Sequence, residues 1–120
     1  MQLIDTARQF VSKYVAISEK EFGLLAQMLE IREFDKKKTL TKEGEVEKYL
    51  NFVVKGLARK YFHKSKDEMI TQIAKENDFI SCYESFLTGT VSNYSIQTIE
   101  PTTFISITKQ NFSHGWWLRS

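Results

Sequence analysis

The chain has 120 residues, 42% of them hydrophobic and 13% aromatic, and a formal net charge of +2. That length and apolar content fit one folded domain and exclude a disordered chain. Lysines and acids are interspersed, so no clustered basic footprint for nucleic acid is present, and the run Lys36-Lys37-Lys38 reads as a solvated turn.

Leu3, Ile4, Ala7, Phe10, Val11 and Tyr14 recur at three- and four-residue spacing and predict an amphipathic helix over about residues 3–14. Ser18 followed by Glu21 is a capping-box pattern, opening a second helix over about residues 18–30 with Phe22, Leu25, Met28 and Leu29 inward. Beyond Ile31 the period changes to short β-type runs over about residues 32–108. These include Thr39-Leu40-Thr41, Tyr49 to Val54, Leu57 to His63, Met69 to Ala74, Tyr94 to Ile99 and Phe104 to Ile107. Lys42 to Glu45 and Lys55-Gly56 read as turns, Ser65 to Glu68 as a hairpin turn, and Pro101 separates the last two strands. Only Ser81 to Leu87 interrupts the strands with a helical turn. The fold class is mainly β with flanking helices, a sandwich or jelly roll. The domain spans residues 1–112, and residues 113–120 form a tail containing Trp116 and Trp117 with no amphipathic pattern.

Cys82 is the single cysteine, so neither an intramolecular disulfide nor a four-cysteine iron–sulfur site can be built from this chain. Without an export signal or an apolar run of spanning length, the chain reads as cytoplasmic and soluble, with no membrane partner. Cys82 stands where a helix N-terminus would favour a thiolate, although free cysteine more commonly packs as a small apolar residue. His63 and His114 are the only histidines and form no His-x-His pair, so a jelly-roll metal site is not expected. No nucleophile elbow or P-loop occurs, and the chain reads as a non-enzyme.

Leu40 to Glu45, Phe52-Val53-Val54-Lys55-Gly56, Asp67 to Ile70, Asp78-Phe79-Ile80 and Ile105-Ser106-Ile107 together resemble the cyclic-nucleotide-binding sensor domain of Crp/Fnr-type bacterial transcription regulators. The resemblance is especially to the degenerate Bacteroidetes-type members and covers about residues 17–112. It implies a double-stranded β-helix, or jelly roll, in which a small helix caps a pocket. It also implies a homodimer in the full-length regulator and a DNA-binding domain that is absent from this chain, which itself makes no DNA contact.

The family's phosphate-binding cassette, laid over Asn77 to Ile96 without a gap, puts its Gly on Ser81, its ribose-binding Glu on Cys82 and its phosphate-binding Arg on Ser92. A buried phosphate needs a cation and oriented N–H groups to replace its water. Removing one partner of a buried charge pair costs on the order of 2–5 kcal/mol, or roughly two to three decades of affinity. No cofactor is therefore expected, and tight cyclic-nucleotide binding by the usual contacts is not. The candidate ligand-binding residues of this degenerate cassette are Ser81, Cys82, Tyr83, Ser92, Asn93 and Tyr94, with a small anionic effector as partner. The short helix offers N–H groups to such an anion. Against this, Ser92 and Asn93 are also ordinary turn formers. The alternative function is a structural dimerisation module without a small-molecule ligand, with Tyr83, Phe86 or Tyr94 filling the pocket.

Overall fold

A computed structural model describes residues 18–113 together with Asp5, Arg8 and Gln9. The helix expected over residues 3–14 and the Trp116–Trp117 tail lie outside the described residues, apart from those three positions.

Helix α1 (Glu19–Ala26) starts where the capping box predicts. The Glu21 N–H donates to the Ser18 hydroxyl at 3.1 Å, and the Ser18 N–H donates to the Glu21 carboxylate at 2.9 Å. Phe22 and Leu25 are its buried side. The helix ends at Ala26, four residues before the expected Glu30. Met28 N–H closes on Leu25 C=O at 2.9 Å, and Leu29 is already the first residue of a strand. Leu29 fits the helical stripe by spacing, but strand pairing to Ile107 takes it instead.

Seven strands follow: β1 (Leu29–Phe34), β2 (Thr39–Thr41), β3 (Tyr49–Lys55), β4 (Ala58–Lys64), β5 (Asp67–Ala74), β6 (Ser95–Thr98) and β7 (Thr102–Thr108). Helix α2 (Tyr83–Thr88) separates β5 from β6, and α3 (Lys109–Ser113) follows β7. All strand pairs are antiparallel, in a three-stranded sheet ordered β1-β7-β3 and a four-stranded sheet ordered β2-β6-β4-β5. This is the expected jelly roll, with the roll beginning at Leu29 rather than residue 32. The hairpin turn is tighter than expected. Only Ser65 and Lys66 lie between the strands, because Asp67 and Glu68 already pair with Lys64 and His63.

Val53, Ala58, Ala74, Ile80, Cys82, Ile96 and Phe104 form the core between the sheets. Gly56 turns β3 into β4 at φ +115°, and a Cβ there would stand 2.5 Å from Thr102 Oγ1 and 2.6 Å from Pro101 O. Only glycine meets both demands.

The segment after β5 runs along β3 and delivers the chain to α2. Asn77 N–H donates to Val53 C=O, Val53 N–H to Asp78 C=O, and Ile80 N–H to Asn51 C=O, at 2.8–3.0 Å. The buried Asn51 amide locks this approach. It donates to Ile80 C=O at 3.1 Å and accepts from the Ser106 hydroxyl at 2.7 Å. Among the described residues, no helix is long and apolar enough to cross a membrane.

Candidate functional site

A cavity of about 230 Å³ lies between α2, the 89–94 loop and the inward face of β4. Cys82, Tyr83, Ser92, Asn93 and Tyr94 line it, together with Lys60, Glu84, Ser85, Thr90 and Val91. Of the six residues singled out in the sequence, Ser81 does not line it. Its side chain turns into the core, where its hydroxyl accepts from Asn51 N–H at 2.9 Å and donates to Tyr49 C=O at 3.0 Å. Ser81 contributes its backbone carbonyl instead, which takes a hydrogen bond from Lys60 Nζ at 2.9 Å.

Ser92 behaves as a turn former. Its buried hydroxyl donates to Tyr94 C=O at 2.8 Å and accepts from Tyr94 N–H at 2.9 Å. Its O–H and one of its lone pairs are spent inside the loop. Ser85 bridges in the same way, accepting from Glu47 N–H at 2.8 Å and donating to Thr90 C=O at 2.5 Å.

Cys82 is 2% exposed, and its thiol reaches the Tyr94 carbonyl at 3.6 Å. Burial pushes the thiol pKa up, opposed by the Ser92 contact and the Lys60 charge and reinforced by Glu47. The helix start therefore does not produce a thiolate here, because desolvation outweighs it. Nor does the helix start stand open to an outside anion. The Glu47 carboxylate, 3% exposed, accepts from Cys82 N–H at 3.1 Å and from the Thr41 hydroxyl at 2.8 Å. The domain supplies its own carboxylate where the sequence suggested a ligand.

Lys60 is the cation of the cavity wall, and sequence reading did not single it out. It is half-buried, with Nζ 4.7 Å from the Tyr83 ring centre and 5.0 Å from that of Tyr94. Burial lowers its pKa, against the raising influence of Cys82 and Glu47. A signal for it did exist in the sequence. Lys60 shares strand parity with Ala58 and Phe62, so it faces inward. Tyr94 is held in place by an edge-on contact with Phe62, ring centres 5.8 Å apart. Tyr83, 37% exposed, stands at the mouth, while Phe86 is buried and packs edge-on against Phe112 at 5.4 Å.

Lys109 closes the far end of α2, donating from Nζ to Phe86 C=O at 2.9 Å and to Leu87 C=O at 2.5 Å. His63 lies away from the cavity, its Nδ1 2.7 Å from Glu43 Oε1. Among the described residues, no group of three or more His, Cys, Asp or Glu side chains gathers as a metal site.

The fold is thus a β-roll with a cavity beside a short helix that interrupts the strands. The family model of the cyclic nucleotide-binding domain matches residues 31–114, and the chain belongs to that family. No curated protein sequence matches it.

Among solved structures, the sensor domain of the transcriptional regulator DNR from Pseudomonas aeruginosa superposes with a TM-score of 0.80 at 13% identity. That match covers 98% of this chain and 81% of the other. The catabolite activator protein of Thermus thermophilus gives 0.73 at 16% identity, covering 83% of this chain and 47% of that one. The regulatory subunit of a cAMP-independent protein kinase A from Trypanosoma brucei gives 0.74 at 17% identity, covering 89% and 38%. A triple variant of that subunit, with a threonine-to-arginine change among its substitutions, is bound to cAMP. The chain thus spans less than half the length of the last two proteins. At these identities the likeness is one of fold.

Proposed function

We propose that this chain is the effector-sensing domain of a Crp/Fnr-type transcription regulator whose cyclic-nucleotide pocket has lost its phosphate-binding charges. The observation that carries the reading is Ser92. At the position the resemblance assigns to the phosphate-binding arginine stands a hydroxyl already closed on the Tyr94 backbone. The cavity is also small, about 230 Å³ against roughly 300–1,000 Å³ for ordinary ligand pockets. The domain therefore responds to a small anionic effector rather than to a cyclic nucleotide held by the usual contacts. It works in the cytoplasm within a homodimeric regulator, does no catalysis, and leaves DNA contact to other parts of that regulator. The Trypanosoma neighbour supports the reading, since its name gives the fold without cAMP dependence and its arginine-bearing variant binds cAMP.

The test is a thermal-shift titration of the domain with cAMP, cGMP and small anions, since a ligand that binds only the folded state raises the melting temperature. The proposal predicts a shift with a small anion and none with cyclic nucleotides at concentrations that saturate intact relatives.

One observation favours a second reading, a structural dimerisation module without a small-molecule ligand: the Ser81, Ser85 and Ser92 hydroxyls are all satisfied internally. That reading predicts no shift with any compound and a folded domain that self-associates.

A further inference from the structure

Lys60 enters the cavity from β4, across from the α2 cassette, and its surroundings define a ligand class. Among the described residues, no carboxylate forms an ion pair with it. Its partners are the Ser81 carbonyl and two tyrosine faces. A half-buried ammonium held by neutral partners is short of its counter-charge, and a ligand anion restores it.

The surrounding charges limit how much negative charge the site accepts. Glu84 lines the same cavity, and the buried Glu47 carboxylate lies close enough behind it to act on both Lys60 and Cys82. With Glu84 on the wall and Glu47 already acting on the single ammonium, repulsion weighs more heavily on a phosphate dianion than on a monoanion. An ammonium is also a point charge without the bidentate fork that favours phosphate. The Tyr83, Tyr94 and Val91 side chains then offer an apolar wall to the body of the ligand.

We propose that Lys60 is the anion-recognising residue of this pocket, and that the ligand is a small organic carboxylate with an apolar or planar body. The inference rests on the sensor reading above but is separable from it.

The experiment is a 1H–15N chemical-shift titration of the domain with benzoate, with neutral benzamide and inorganic phosphate as controls, repeated on Lys60→Met. The expected result is saturable benzoate shifts at Cys82, Tyr83 and Asn93, and neither control matching them. Lys60→Met should weaken benzoate by about 10- to 100-fold, the usual effect of a lost hydrogen bond to a charged group. The amide spectrum of Lys60→Met verifies its fold, and Lys60→Arg, which keeps the charge, should retain part of the affinity. Equal benzoate affinity in wild type and Lys60→Met overturns the role of Lys60 while leaving the sensor reading standing. Tighter binding of phosphate than of benzoate overturns the ligand class. No saturable cavity shifts with benzoate or with phosphate overturn the inference and the small-anion sensor reading together.

Discussion

Glu47 and Cys82 are joined by a 3.1 Å hydrogen bond from the Cys82 backbone N–H to a carboxylate that is almost fully buried. The same carboxylate takes the Thr41 hydroxyl, so the β2–β3 loop caps the start of α2 from outside the cassette. Glu47→Ala removes the acceptor from two buried donors at once. It should destabilise the domain by about 2–3 kcal/mol, since each unsatisfied buried group costs about 1–3 kcal/mol. Urea unfolding of the purified variant measures this, and a change below 0.5 kcal/mol, roughly the level of an ordinary surface substitution, would contradict the capping role.

Lys60 gives a stability prediction with a definite sign. Its folded-state pKa lies below the ordinary lysine value, chiefly through burial, so at neutral pH the unfolded chain holds that proton more readily than the folded one. The charged lysine thus opposes folding at pH 7. The opposition fades as pH rises from the lowered value toward 10.5. Lys60→Met should be at least as stable as wild type at pH 7, and the difference between the two should shrink by pH 10. Paired denaturation curves at both pH values check it, and a variant that loses stability at pH 7 goes against it.

At Gly56 the demands of φ and space coincide. Gly56→Ala should destabilise the domain by about 2 kcal/mol or more, because both positive φ and close approach to Pro101 O resist a Cβ. Thermal melts read the effect directly. A melting temperature equal to wild type would mean that the β3–β4 turn relaxes freely.

Lys109 fastens the C-terminal end of α2 to the segment after β7. Lys109→Met should leave the sheets intact while loosening α2. In hydrogen exchange, the Phe86 and Gly89 amides should lose protection while Val53 and Ile105 keep theirs. Uniform loss across the domain would show instead that Lys109 supports the global fold.

Much of this architecture was legible in the sequence because local chemistry and tertiary demand agree. The Ser18–Glu21 capping box, the Gly56 turn and the alternation through β4 each point one way. Leu29 was misread because its spacing from Phe22 and Leu25 continues a helical stripe, whereas the partner that claims it, Ile107, lies far along the chain. Pairing at that range leaves no local mark. Within the cassette, position predicted which residues surround the cavity better than which way their side chains turn. Ser81 aims its hydroxyl at Asn51 because a buried backbone N–H waits there. Glu47 was missed for a related reason. An acid in a charged loop reads as solvated, and only the fold carries it under α2 to meet the Cys82 N–H. Lys60 was the more accessible clue, a charge on the inward parity of a strand.

On the proposed reading, the cassette keeps its form while its phosphate-binding charge is gone. Isothermal titration calorimetry with cAMP, on wild type and Ser92→Arg side by side, tests it most directly. The expected result is no saturable heat for wild type and measurable binding for Ser92→Arg, a gain of roughly two to three decades in affinity from the restored charge pair. Micromolar cAMP binding by the wild-type domain would contradict it, since the phosphate would then be held without the arginine.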